Sequence, residues 1–543
     1  MSRKEYVGIV LSQATTGEAA CQLLESAERG EIREGMLLLV ETGSKNLLAR
    51  VAQIVPYNAF YTEGDPWSEA RRKGLPIPEE VARRYEVCKL DLLIEIPKAE
   101  IKYPPQPGDK VLKLDPRAHE RDIYGVSRGQ PKYIWYGSLS GYEKPPSPVP
   151  LYVENVPMHM AIFGVTGSGK SYDAGAFIEQ IVNIPRKKGE MVSYPMMIID
   201  AHGDYTDYVD FVSKGNEFGK FGWLQRFVFP RAYTQPKFRQ QKSVQAIGIN
   251  LDLLSPRELA EIIVLFYKGT TEGAELQVSG LDYLFERMKE DGYESMQEVF
   301  RTHFDDLIER LRGFTREEMH EATKGTVERA LNEFITIERK HQLLTTKSSL
   351  KDEKFVEDIT KDRGIAIMDF SAYAAPGIDL KTKQLVMTYL ASMLFDKFTR
   401  FKIEGKEKYL MFIIEESQNF CPDKLYPIST SLAHQKLSAI ATQGRKFGLS
   451  LCLISQRPSF VDRIVLSMCN TFFIHRVSPE DLSFVRSVTG GLPPSLSDRL
   501  TRLDRGEMII TGQMNTVPFS LDIVVPERKV PHKIGETRVV ENL

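Results

Sequence analysis

The feature that most restricts this chain is a short apolar run that passes directly into a glycine-rich turn and then into a helix-forming stretch. Met160-Ala-Ile-Phe163 is followed by Gly164-Val-Thr-Gly-Ser-Gly-Lys-Ser171 and then by Tyr172-Asp-Ala-Gly-Ala-Phe-Ile-Glu-Gln-Ile181. This reads as strand, loop and helix, and the spacing matches Gly-x4-Gly-Lys-Ser in full. Gly164, Thr166, Gly167, Ser168 and Gly169 form a loop whose backbone N–H groups can turn inward around phosphate oxygens, with the helix N-terminus adding positive potential. Lys170 neutralises the β- and γ-phosphates, Ser171 offers an oxygen to Mg2+, and Tyr172 follows at the first turn of the helix. No Asn-Lys-x-Asp sequence is present to read guanine. The expected ligand is therefore ATP with Mg2+.

Binding phosphate does not by itself give hydrolysis, which needs one carboxylate in the magnesium shell and another to orient water. Tyr409-Leu-Met-Phe-Ile-Ile-Glu-Glu416 supplies two acids at the end of a buried strand, the edge at which open parallel sheets bind ligands. Glu415 is assigned to the metal and Glu416 to the attacking water. Neighbouring side chains on a strand face opposite ways, so the two acids do different jobs, although the roles can be exchanged between them. Two other strand ends bring polar groups to the same edge. Met197-Ile-Ile-Asp-Ala-His-Gly-Asp-Tyr205 contributes Asp200, assigned to the nucleotide site, with His202 and Asp204 nearby. No second His or Cys stands at metal-ligand spacing from His202, which reads as a hydrogen-bonded structural histidine. Leu449 to Ser455 leads to Gln456, a candidate sensor of the γ-phosphate.

Around this site the chain reads as α/β. Apolar runs at Met196–Asp200, 227–229, Ile365–Asp369, Leu410–Ile414, 449–454, Thr471–Ile474 and 508–511 alternate with helical stretches, the pattern of a parallel sheet covered on both faces. The expected organisation is a small all-β barrel, a Pro/Gly-rich linker over 136–150 and an α/β domain beyond it. Within the barrel, a solvated helical insertion is expected between Ser68 and Tyr85. A larger helical insertion over 251–347 interrupts the core, with Ser255-Pro-Arg-Glu258 as a capping box near its start.

Composition removes several function classes. With 71 Lys and Arg against 73 Asp and Glu, the net charge of −2 gives no global attraction for nucleic acid, so DNA contact requires a local basic lining. The five cysteines never form a Cys-x-x-Cys pair, which argues against a disulfide framework or zinc ribbon. No apolar run of about 18 residues and no signal-like N-terminus is found. The expectation is a cytoplasmic protein with no membrane contact.

Four ordered motifs resemble the HerA branch of the FtsK–HerA superfamily of P-loop NTPases: Gly164 to Ser171; Ile199-Asp-Ala-His-Gly-Asp-Tyr205; Ile413-Ile-Glu-Glu416; and Gly444-Arg-Lys-Phe-Gly448 with Ser455-Gln-Arg-Pro-Ser459. The resemblance implies a homo-hexamer that binds ATP between subunits and threads double-stranded DNA through its centre as a translocase or helicase. It also implies bounds of 1–135 for the barrel, a RecA-like ATPase core over 151–523 and a C-terminal tail over 524–543 that braces the neighbouring subunit. By position, Arg445 becomes a trans-acting arginine finger or sensor. Partners implied are a NurA-like nuclease in DNA-end processing, or a SIR2-like effector in antiphage defence.

Two departures stand out. Met158-His159 replaces an arginine that some relatives carry before the loop strand, and Glu415-Glu-Ser-Gln418 stands where Glu-Glu-Ala-His is usual. Lys424 to Lys436 is either a channel-facing loop or a solvated connection. Two other functional readings compete: a nucleotide-gated ring scaffold that controls an effector, and a secretion or conjugation coupling ATPase.

Overall fold

The computed structural model describes residues 6–27, 31–43, 45–58, 61, 67–75, 85–269, 273–344, 348–427 and 430–532. Six strands, β1 (Tyr6–Val10), β2 (Glu18–Leu23), β3 (Leu37–Glu41), β4 (Asn46–Tyr57), β5 (Tyr85–Ile96) and β6 (Lys110–Lys113), close into a barrel in the order β1-β2-β5-β4-β3-β6. Closure removes free sheet edges. The long strands β4 and β5 shift register between Leu48 and Ala49 and between Val51 and Gln53, bulges that bend a strand enough to help a small barrel close. Of the helical insertion expected at Ser68 to Tyr85, Ser68–Arg72 is a short helix, and the segment 76–84 lies outside the described residues.

The stretch 136–150, expected as a linker, is instead packed structure. β7 (Tyr133–Tyr136) pairs with β9 (Val149–Tyr152), while β8 (Ser138–Leu139) is hydrogen-bonded into the core sheet. Pro145, Pro146 and Pro148 are compatible with this because β8 is the outermost strand and the prolines fall in the turn that follows it. The barrel is also docked rather than tethered. Buried Arg50 of β4 donates to Asp91 at 2.9 Å and to the Ser520 carbonyl at 3.0 Å, and Ser495 donates to Asp91 at 2.6 Å.

The core sheet contains β10 (Met160–Phe163), β13 (Met196–Asp200), β14 (Leu224–Val228), β15 (Val244–Ala246), β16 (Ile365–Asp369), β17 (Leu410–Ile414), β18 (Leu449–Ser455), β19 (Thr471–Ile474), β20 (Glu507–Gly512) and β21 (Leu521–Val524). The pair β11 (Ile184–Pro185) and β12 (Met191–Val192) forms a separate ribbon. The order is β15-β14-β16-β13-β17-β18-β10-β19-β20-β21-β8, with parallel pairing from β15 to β19 and antiparallel pairing beyond. Every residue of β10, β13, β16, β17 and β18 is buried, which explains their unbroken apolar sequences. Between β15 and β16 lie the helices Pro256–Lys268, Glu275–Glu290, Met296–Thr302, Phe304–Gly313 and Glu321–His341. The first opens on the Ser255–Glu258 capping box.

After β21 the chain turns back on its own phosphate-loop helix, Lys170–Ile181. Glu179, itself buried, accepts from the Arg528 side chain at 3.3 Å, from Lys529 N–H at 2.5 Å and from Val530 N–H at 3.2 Å. The tail's last residues, 533–543, lie outside the described residues. Removing one partner of a buried ion pair leaves an uncompensated charge, a loss of roughly 3–5 kcal/mol. Glu179→Ala is therefore expected to lower the thermal midpoint and to open the segment 525–532 to limited proteolysis. An unchanged midpoint and cleavage pattern would show that the segment is held by something else.

Candidate nucleotide-hydrolysis site

The C-terminal ends of β10, β18, β17 and β13 lie side by side, with Phe163 opposite Ser455 and Ile414 between Ile199 and Leu453. This alignment gathers residues separated by almost 300 positions in sequence. The loop leaving β10 is held from both sides: Gly164 N–H donates to the Ser455 carbonyl at 3.3 Å and Val165 N–H to the Arg476 carbonyl at 2.9 Å. Gly169 takes φ +103°, a conformation that side chains resist. Gly164 is needed for space, since a Cβ there would stand 2.8 Å from His475 Cβ. Beneath the loop, Asp173 accepts from Tyr136 at 2.5 Å and lies 3.0 Å from His475 Nε2, all three fully buried.

Lys170 and Ser168 are buried within the turn, and Ser171 Oγ stands 3.5 Å from Glu415 Oε1. Glu415 also accepts from Tyr205 OH at 3.0 Å and from Ala201 N–H at 3.2 Å. Burial, reinforced by Asp204, pushes its carboxyl up to about 7 against the opposing pull of Lys170 and His202. Glu416 behaves in the opposite way. Burial raises it, but hydrogen bonds from His202, Gln456 and Gln418, together with the Lys170 charge, outweigh that and hold it at about 2. Its backbone has φ +47°, a left-handed conformation that turns the second acid out of strand geometry. There its carboxylate meets His202 Nε2 at 3.3 Å, Gln418 Nε2 at 2.5 Å and Gln456 Nε2. Gln456 continues the network to the phosphate loop by accepting from Thr166 Oγ1 at 2.5 Å.

Several assignments change. Asp200, assigned to the nucleotide, reaches the right edge but is fully buried and turned into its own loop. It accepts from the N–H groups of His202, Gly203, Asp204 and Tyr205 at 2.6–3.3 Å. A short acid that cages a turn in this way has no lone pair to spare for a ligand. Burial, Glu415 and Asp369 raise its carboxyl well above the usual range. His202 faces Glu416, a placement its sequence context did not reveal. Gln418, noted only as a departure from the family pattern, ties Glu416 to Ser455, whose hydroxyl donates to it at 2.9 Å. Tyr172 turns its hydroxyl to the Arg528 N–H at 2.9 Å. Arg445 opens the short helix before β18, exposed at the N-terminal edge of the parallel strands and across the sheet from its own loop.

The donors suit Mg2+. Among the described residues no cluster of three His, Cys, Asp or Glu forms a dedicated metal cage. Mg2+ instead takes one or two protein oxygens and completes its shell with substrate phosphate and water. Ser171 and Glu415 are the oxygens that would hold it.

The raised Glu415 carboxyl has a consequence for the ligand-free chain. An acid whose folded pKa is raised favours folding while protonated, and that contribution is lost as pH rises from the ordinary carboxylate range to about 7. Glu415→Gln, which cannot ionise, is thus expected to unfold at a higher temperature than wild type at pH 8, with the gap closing toward pH 5. A gap independent of pH would show that Glu415 is not the titrating group.

The HerA helicase central-domain family matches residues 134–394. The DNA double-strand break repair helicase HerA of Saccharolobus solfataricus is 23% identical over 550 residues, covering 98% of this chain and 96% of its own. The protein of the same name from Sulfolobus acidocaldarius is 24% identical, covering 95% and 92%. Among solved structures, the plasmid coupling protein TrwB in complex with ADP and Mg2+ aligns with 76% of this chain and 93% of its own, at TM-score 0.48 and 14% identity. The phosphate loop and the acid strand thus lie in a chain whose residues 134–394 match the HerA helicase central-domain family and which is similar over nearly its full length to HerA helicases.

Proposed function

We propose that the chain hydrolyses ATP with Mg2+ as a ring of six and couples this to movement along double-stranded DNA, in the service of a partner nuclease or a defence effector. The observation that carries the reading is the split between adjacent acids. Glu416, ionised and hydrogen-bonded to Gln456, can accept a proton from the attacking water, while Gln456 relates that water to the phosphate loop through Thr166. Lys170 balances phosphate charge. Ser171 and Glu415 would hold Mg2+, which would supply positive charge against the negative charge that builds on the phosphate.

Arg445 supports a multi-subunit site, because its own loop is on the other edge of the sheet and a second copy would have to deliver it. An arginine finger contributes about 10³ to 10⁵ in rate. Arg445→Ala and Lys170→Ala homomers should each be nearly inactive, and a mixture of the two should regain hydrolysis by pairing an intact loop with an intact arginine. A mixture as inactive as its parents would remove Arg445 from the trans role.

The contact with DNA rests on less. Lys436, at the end of the stretch that is either a channel-facing loop or a solvated connection, is tied to Glu258 at 2.7 Å, and Arg457 is paired with Glu480 and Asp481. Lys424 stands exposed. This sparse lining favours, as the second reading, a nucleotide-gated ring that controls an attached effector with little translocation. Steady-state hydrolysis by size-defined hexamer decides between them. Stimulation by linear duplex DNA, abolished by Lys170→Ala and by Glu416→Gln, is expected for the motor. Robust hydrolysis indifferent to DNA would overturn it in favour of the gated ring.

A further inference from the structure

The phosphate loop has two flanks. On one stand the acids and Gln456, carried by β17 and β18. On the other stand β19 and β20. Because β20 pairs antiparallel with β19, with Ile474 opposite Ile509, the turn that precedes β20 lies at the same sheet edge as the loop. That turn, Asp504-Arg505-Gly506, is seated on the loop itself: Gly506 N–H donates to the Ser168 carbonyl at 3.1 Å. β21 ends at this edge too, with Val524 opposite Glu507. The segment that follows is joined to the turn by Val525 N–H donating to the Gly506 carbonyl at 2.8 Å.

From there the segment crosses the first turn of the phosphate-loop helix. Arg528 N–H reaches Tyr172 OH, Glu179 anchors the next two residues, and the His532 ring stands edge-on to the Tyr172 ring with centroids 6.2 Å apart. Arg505 is exposed and makes no hydrogen bond or ion pair to any described residue, yet its charge is close enough to act on His532. His532 Nδ1 is shielded from solvent and has no hydrogen-bond partner among the described residues. Three planar groups from distant parts of the chain, Tyr172, Arg505 and His532, thus gather beside the loop on the flank away from Glu416.

A nucleoside triphosphate is an extended molecule. If its terminal phosphate is to meet Glu416 and Gln456, the nucleoside leaves the loop on the opposite flank. We infer that Arg505 and His532, with the Tyr172 ring, form the nucleoside subsite of the nucleotide site, stacking a purine base against the guanidinium and imidazole planes. The inference rests on the ATPase reading above and adds what that reading lacks, a wall for the base built from the C-terminal segment of the same chain. Glu179 holds that segment against the phosphate-loop helix.

The test measures equilibrium binding of ATP and of inorganic tripolyphosphate, which carries the phosphates without a nucleoside. The proteins are full-length wild type, Lys170→Ala, and a double variant, Arg505→Ala with His532→Ala. Stacking contacts of about 0.5–1.5 kcal/mol each, converted at 1.4 kcal/mol per tenfold, predict that the double variant binds ATP about tenfold more weakly. Tripolyphosphate affinity should change by less than about twofold, while Lys170→Ala should weaken both ligands. Loss of tripolyphosphate affinity in step with ATP would overturn the inference by making these residues phosphate contacts. ATP affinity unchanged in the double variant would overturn it outright. A wild type that binds neither ligand would overturn the ATPase reading and the subsite with it.

Discussion

A loop that offers amides to phosphate has few left to hold its own shape. The loop from Gly164 to Ser171 keeps one internal bond, from Ser168 N–H to the Val165 carbonyl at 3.2 Å, and is otherwise fixed from outside. Its first two N–H groups are taken by carbonyls of Ser455 and Arg476, its Ser168 carbonyl by Gly506, and its helix is pinned underneath by Asp173 against Tyr136 and His475. These restraints come from the neighbouring strands and from the stretch that joins barrel to core. The cost of keeping the loop ready is spread over the sheet, and the parallel order of β18, β10 and β19 is what makes that possible. Preorganised donors of this kind need no rearrangement when charge arrives.

The same edge separates two chemically identical neighbours. Glu415 stays in strand register and is buried beside Tyr205 and the Asp200 turn, an environment that resists ionisation. Glu416, one residue on, adopts φ +47° and reaches three hydrogen-bond donors that favour ionisation. A left-handed non-glycine residue costs of order 1–3 kcal/mol and persists where its surroundings over-determine it. Here the surroundings are His202, Gln418 and Gln456. The strain and the depressed carboxyl have one origin, the demand that Glu416 leave the strand and face the loop.

Much of this was legible in the sequence, for reasons that differ by element. The loop announces itself because glycine, lysine and serine are needed at fixed spacing, and the buried strands because both faces are covered. β2 is hard to read from sequence because Ala19, Ala20 and Cys21 do not look like a strand, and β8 because prolines suggest a linker where an edge strand tolerates them. Asp200 was misassigned because a carboxylate at a strand end looks the same in sequence whether it faces a ligand or its own turn. Only the four amides around it distinguish the two. His202 and Gln418 acquire their roles from Glu416's unusual backbone, which no spacing rule reports. Arg505 and His532 carry no motif at all, and an antiparallel turn and a folded-back segment bring them to the loop.

The restraints also bear on where motion can occur. The barrel is docked by buried Arg50 donating to the Ser520 carbonyl and by Ser495 donating to Asp91, and the C-terminal segment by the buried pair of Arg528 and Glu179. Opening the Arg528–Glu179 pair strands a charge at a cost of several kcal/mol. By contrast, Arg445 and the far flank of the nucleotide site lie on the surface of one chain. On the proposed ring reading, a rearrangement driven by hydrolysis would fall on contacts between copies, where Arg445 would enter or leave a neighbour's site, and not on the joints within one copy. A rigid subunit that carries its loop, its acids and the wall for the base as one piece is suited to that division.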